Sequence, residues 1–210
     1  MNKILSFGFI IISSIFYCSL ANAALITVYT DRTTWESALA GAVISTETFS
    51  TPIAAADVIA LDNGIVSTAN PTSFSYNRVS GGVFGGYACS VTACNSFAPD
   101  DIGWALPSAV NAIGGDFFGV NSSGGVTIDI DSLGYSGAAI FDSLGGSNGF
   151  YGLISDTQFS NIAFRCAGNC GDAYSIDNFS SASVPEPTSL LLLGIGLAGL
   201  GFARKRRADA

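Results

Sequence analysis

Between Val43 and Phe179 the chain breaks into short apolar runs bounded by clusters of Gly, Asn, Asp and Ser. The runs are Val43–Phe49, Val58–Leu61, Ile65–Thr68, Phe74–Val79, Ala112–Val120, Val126–Asp131, Ala138–Asp142, Phe150–Ser155, Ile162–Cys166 and Tyr174–Phe179. β-Branched and aromatic side chains pack well on a pleated surface, and the intervening residues suit turns, so each run reads as a strand. About ten strands at this spacing predict a mainly β fold, a β-sandwich of jelly-roll type. Asn63-Gly64 predicts a tight hairpin of type I′, whose two central positions need positive φ. Leu25 to Thr30 alternates like a further strand, and then the period changes in "DRTTWESALA". There Asp31 can cap a short helix, Thr33 and Glu36 stand at capping-box spacing, and Trp35 and Leu39 share a face. It is expected to be the one helix of the folded domain, packed at the edge of the sandwich.

Both ends lie outside this pattern. Residues 1–23 read as a secretory signal: Lys3 is the positive n-region, Ile4 to Leu20 the apolar stretch, and Ala21-Asn22-Ala23 a small-x-small cleavage site. Cys18 follows Tyr17 rather than a small residue, which argues against lipidation. The expected β domain covers 24–180, and the small, polar, proline-rich "SSASVPEP" from Ser180 reads as a flexible stalk through residues 181–187. Residues 188–203 carry no charge, and as a helix rising 1.5 Å per residue they span roughly 24 Å, at the short end for a hydrocarbon core of about 30 Å. Arg204, Lys205, Arg206 and Arg207 follow at once, and the positive-inside rule keeps them cytoplasmic, with the β domain held outside. "GIGLAG" at Gly194–Gly199 matches the dinucleotide-binding pattern in letters only, because neither a preceding strand nor a following acidic residue accompanies it.

Val184-Pro185-Glu186-Pro187, a short apolar stretch and a terminal basic cluster together resemble a PEP-CTERM sorting tail, the bacterial signal read by exosortase. The resemblance implies export across the inner membrane of a Gram-negative bacterium and transient anchoring in it. It also implies recognition at Pro185, Glu186 and Pro187, removal of the helix, and delivery to the cell surface or extracellular matrix. Less specifically, "ITVYTDRTTWESAL", "AIGGDFFGV", "GFYGLISDTQFSNIAFRC" and "AYSIDNFS" resemble β-sandwich domains that recur ahead of such tails. That likeness carries fold and not chemistry.

Between Ala24 and Val184 three arginines, Arg32, Arg78 and Arg165, stand against fourteen acids, a net charge of −11. A surface of that sign repels phosphate backbones, so nucleic acid is a poor partner. Removing the signal leaves Cys89, Cys94, Cys166 and Cys170, an even number in a chain bound for an oxidising compartment. Three pairings are open, with the local ones, Cys89 to Cys94 and Cys166 to Cys170, favoured. A four-thiolate zinc site is the rival, although C-x4-C and C-x3-C depart from the usual C-x2-C.

Catalytic groups are scarce. Histidine is absent and no lysine lies between Lys3 and Lys205, which excludes Ser-His-Asp and Cys-His sites, histidine metal sites and Schiff-base chemistry. A carboxylate pair of the glycosidase kind remains the one route to catalysis, and no catalytic residue is assigned. In "VTIDID" a period of two puts Val126, Ile128 and Ile130 on the core face and Thr127, Asp129 and Asp131 on the other. Same-face carboxylates need a cation between them, which makes Asp129 and Asp131 weak calcium candidates, with Asp100, Asp101, Asp116, Asp177 and Asn178 as further oxygens. A solvated outer face is the plainer reading. For glycans, the aromatics Phe84 and Tyr87 among glycines, and Trp104 beside two acids, can stack on sugar rings, although aromatics in a sandwich are more often core. The sequence thus points to a non-catalytic surface or matrix protein associated with exopolysaccharide or biofilm. A lectin-like module, with or without calcium, is the alternative, and a carboxylate hydrolase of matrix polysaccharide the third.

Overall fold

The computed structural model describes residues 24–70, 77–89, 101–121, 125–166 and 171–184. Among them eleven strands form one hydrogen-bonded network: β1 (Ile26–Tyr29), β2 (Ile44–Glu47), β3 (Val58–Ala60), β4 (Val66–Asn70), β5 (Arg78–Ser80), β6 (Val83–Cys89), β7 (Asp101–Phe118), β8 (Val126–Ile130), β9 (Tyr135–Ser136), β10 (Gly149–Cys166) and β11 (Gly171–Ala182). The main path runs β5-β6-β11-β7-β10-β8-β9, with β1 added to β10, β2 to β11, and the β3–β4 hairpin to β7.

Two strands of 18 residues, β7 and β10, belong to both halves of this open sheet. They pair from Phe117 with Gly149 to Ala112 with Ile154, lose register around Val110 and Phe159, and resume from Ala105 with Asn161 to Ile102 with Phe164. Bulges bend a strand and sharpen its twist. Pro107, which has no N–H to give a ladder, sits inside the break, where a strand tolerates it. Beyond the bend the same two strands pair with β4 and β8; before it they pair with β11 and β1. The result is sandwich-like, but one bent sheet replaces the two separate sheets of a jelly roll.

The leaves meet on aromatic side chains. Trp104 of β7 makes edge contacts with Phe84 of β6, Phe164 of β10 and Phe179 of β11, at centroid distances of 4.9, 4.9 and 4.8 Å. The expected helix is present as α1 (Arg32–Ala38), capped by Asp31, whose carboxylate accepts from the Thr34 N–H at 2.8 Å. The capping box is not used, since Glu36 lies 3.9 Å from Arg32 instead. Seven residues do not hold a helix in water alone, so burial of Trp35 and Leu39, each worth roughly 1.5–3 kcal/mol, must stabilise it. The helix lies on the outer face of the β11 leaf, where Trp35 stacks at 5.6 Å on Phe150 and its indole N–H donates to the Leu153 carbonyl. Gly114 and Gly152, paired across β7 and β10, leave the space that Phe150 and Trp35 fill.

Several expectations change. Ala138–Asp142 is not a strand: Ile140–Leu144 forms a second helix, α2, closed by Gly145 at φ +65°. Val83–Cys89 and the first half of β7 are strands where glycines and a proline suggested loops. Gly86 is needed there because a side chain would strike the ring of Tyr174. The Asn63-Gly64 hairpin exists, but only Gly64 has positive φ, and its N–H donates to the Leu61 carbonyl at 3.0 Å, so the connection is not type I′. Finally, β11 continues through Ser180, Ser181 and Ala182, residues expected to close the domain and open the stalk. Residues 188–203 lie outside the described residues; among those described, no helix is long and apolar enough to cross a membrane.

Candidate functional site

The outer face of the β8 leaf carries the acids singled out in the sequence. Every residue of β8 is buried, against the expected alternation. Thr127 and Asp129 are 3% and 7% exposed, with β9 paired along the edge of β8 beside them. Asp129 accepts from the Ser136 hydroxyl and the Gly137 N–H, each at 3.2 Å, and Arg165 stands 3.4 Å away. Arg165 also grips Asp131 with both terminal nitrogens, at 2.6 and 2.8 Å. Those hydrogen bonds hold the Asp131 carboxyl below its ordinary range. A cation does join the two carboxylates, and it is a side chain of β10, four residues past Asn161, where the register resumes. No group of three or more metal-ligating side chains occurs among the described residues.

Beside this triad lies an open cavity of about 340 Å³ lined by Thr68, Gly103, Ala105, Asn161, Ala163 and Arg165, among others. Register explains its shape. Thr68, Gly103, Ala163 and Asp129 lie in one row across four strands, and the first three are small.

Of the glycan candidates Trp104 is among the lining residues, but it shows the cavity almost no surface. Phe84 and Trp104 are 0% and 1% exposed and form the aromatic centre of the core, so neither is placed to stack on a sugar ring. Tyr87, on β6 opposite Ala173, is half-buried. Asp116 and Asn178 meet on the other leaf, where the Asn178 amide donates to Asp116 at 3.0 Å. Arg32 stands 3.1 Å from the same Asp116, donates to the Asn178 carbonyl, and lies 4.6 Å over the Phe150 ring, fastening α1 to the sheet. Asp177 pairs with Asp116 across the strands and accepts from the Asn178 N–H. Asp101 is in β7, and Asp100 lies outside the described residues. Cys166 is disulfide-bonded; Cys94 and Cys170 lie outside the described residues, as do Pro185, Glu186, Pro187 and the Arg204, Lys205, Arg206, Arg207 cluster.

Three polar sites were missed. Glu47, 4% exposed, accepts from the Phe49 N–H at 2.8 Å and the Asn63 N–H at 2.9 Å, tying β2 to the β3–β4 turn. Asn77, fully buried in the left-handed region, donates to the Ala56 and Asp57 carbonyls and accepts from Ser67. Asp172, 1% exposed, accepts from the backbone and side chain of Asn121, and burial raises its carboxyl above the ordinary range. The scarcity of cations was the available signal for the arginine sites: with three bases among fourteen acids, each arginine has several acids to gather.

At the chain's exit, Val184 packs on the cluster formed by Trp35, Leu39, Ala112, Phe150 and Ala182, and Ser183 accepts from the Gln158 amide at 3.1 Å. The segment from here onward matches a known family. Residues 183–207 match the PEP-CTERM protein-sorting motif, a tail of the kind that exosortase processes. No curated protein and no solved structure matches the chain.

Proposed function

We propose that this PEP-CTERM-tailed protein is a non-catalytic β domain of the cell surface or extracellular matrix, associated with exopolysaccharide. On this reading the signal at residues 1–23 exports it, the apolar run at 188–203 anchors it transiently, and exosortase releases it near Pro185–Pro187. The observation that carries the reading is the sorting motif at 183–207, which begins one residue after the last strand of the domain. Local pairings of Cys89 with Cys94 and Cys166 with Cys170 belong to the same proposal, since the destination is oxidising.

A scaffold role is favoured over a lectin because Phe84 and Trp104 serve the core, leaving no stacking platform on those residues. Arg165 supplies the charge that calcium would bring to Asp129 and Asp131, so a calcium ion there would have to displace a guanidinium held at 2.6 Å. The lectin reading keeps one support, the cavity lined by Thr68, Asn161 and Arg165, whose polar groups suit sugar hydroxyls. Mass spectrometry of the protein recovered from the cell surface tests the sorting reading. A mature C-terminus close to Pro187 is expected; surface protein that retains Arg204–Ala210 would refute release by exosortase.

A further inference from the structure

The register of the β11 leaf shows where both ends of the domain emerge. Thr27, Ile154, Ala112, Ala182 and Ile44 lie in one row across β1, β10, β7, β11 and β2. Four strand spacings make this row about 19 Å wide. Beyond it, on the same side, come Leu25 two steps out at one edge and Val43 and Ser183 one step out at the other. The chain therefore enters the domain at Ala24 and leaves it at Val184 from a single rim. That rim presents Leu25 at 70% and Val43 at 89% exposure, the two most exposed large apolar side chains described. Asp156 lies on it too, with its carboxylate accepting from the Leu25 N–H.

Chain length brings this rim to the bilayer. From Val184, which is packed against the domain, four residues lead to Thr188, where the uncharged run begins. Fully extended they reach at most about 14 Å. The interfacial layer between hydrocarbon and water takes about 5–8 Å of that. Less than about 10 Å then separates the tethered corner from the headgroups, half the width of the rim.

We infer that the rim carrying Leu25 and Val43 is a membrane-docking surface, which lays the domain on the lipid interface while its tail is still attached. The inference rests on the anchoring reading above. The two exposed apolar side chains stand at opposite ends of the rim, about 19 Å apart, and each can enter the interface. After release of the tail, two scattered contacts give only weak, reversible lipid attachment, in keeping with a protein that leaves the membrane.

The test uses the chain from Ala24 to Ala210, with the signal removed and the tail attached, reconstituted into vesicles of phosphatidylethanolamine and phosphatidylglycerol containing a nitroxide headgroup lipid. A fluorescent amino acid replaces Ala24, the rim corner farther from the tether, or, in a second sample, Ser147, an exposed residue beyond the opposite end of β10. Several-fold stronger quenching at position 24 is expected, falling to the level at position 147 in the Leu25→Asp, Val43→Asp double variant while flotation with vesicles is unchanged. Equal quenching at the two positions in a chain that floats overturns the docking surface and leaves anchoring intact. A chain that does not float overturns anchoring and the inference with it. Weak quenching at position 24 that rises when the protein is diluted within the membrane assigns the rim to a second copy, and overturns the lipid assignment.

Discussion

Arg165→Gln separates two ion pairs that look alike in a list of distances. The pair with Asp131 is short and bidentate, yet the Asp131 side chain is 70% exposed, and exposed pairs contribute about 0–1 kcal/mol. The pair with Asp129 is longer, at 3.4 Å, but the Asp129 side chain is 9% exposed. Removing Arg165 leaves that buried carboxylate with only Ser136 and Gly137 as donors. Losing a hydrogen-bonded partner of a buried charge costs about 1.5–3 kcal/mol, and the two remaining donors put the expectation at about 2 kcal/mol. Asp131→Asn should cost less than about 1 kcal/mol. For a domain of this size the loss of Arg165 lowers the melting midpoint by roughly 4–8 °C. Urea unfolding of the four members of the Arg165→Gln, Asp129→Asn cycle gives the coupling directly. The double variant should recover about 1 kcal/mol relative to the sum of the singles, because no buried charge is left alone. If Asp131→Asn destabilises as much as Arg165→Gln, or if the cycle is additive, burial is not what gives the site its energy and the reasoning fails.

Two further expectations follow from the same coordinates. A Cβ at Gly152 would lie 2.8 Å from the Phe150 ring and 2.9 Å from Trp35, so Gly152→Ala should cost about 1–3 kcal/mol by crowding the α1 interface. Gly103, whose Cβ would meet nothing within 4 Å, is the control, and its alanine variant should stay within about 0.5 kcal/mol in the same denaturant titration. Asp172 has a folded-state pKa raised by burial, so its ionised form opposes folding and its contribution is favourable only while it stays protonated. Wild-type stability should therefore gain on that of Asp172→Asn as pH falls from 7 toward 4, with the difference lost again as pH rises through the folded pKa. Parallel unfolding curves at all pH values would contradict it. Asp31 and Asp131 act in the opposite sense in both proteins, and cancel in the comparison.

Where the pattern was local, it was readable. Leu25–Thr30, Val43–Phe49, Val58–Leu61, Ile65–Thr68 and Val126–Asp131 contain or overlap strands as expected, because β-branched alternation between turn residues acts over four or five positions. Asp31 and Trp35 specified α1 for the same reason: a cap and a one-sided apolar pair lie within a single turn. Ala138–Asp142 misled because five mixed residues carry neither period clearly, and Gly145 as a left-handed stop was the signal overlooked. Val83–Cys89 misled because its glycines looked like loop residues, whereas Gly86 is small to admit Tyr174 from the strand beside it.

By itself the sequence determined the class of fold, the shortage of catalytic groups and the sorting tail, each of which is written in residue types at short spacing. Tertiary structure decided everything that depends on which strands become neighbours. It folded one sheet over at Val110 and Phe159, carried Trp104 and Phe84 into the core, and brought Arg165 onto Asp129 and Asp131 from 34 to 36 positions away. It also ran β11 up to the sorting motif and set Leu25 and Val43 on one rim. The reason is that strand pairing joins residues far apart in the chain, and a register of 4.8 Å spacings has no counterpart in the order of amino acids.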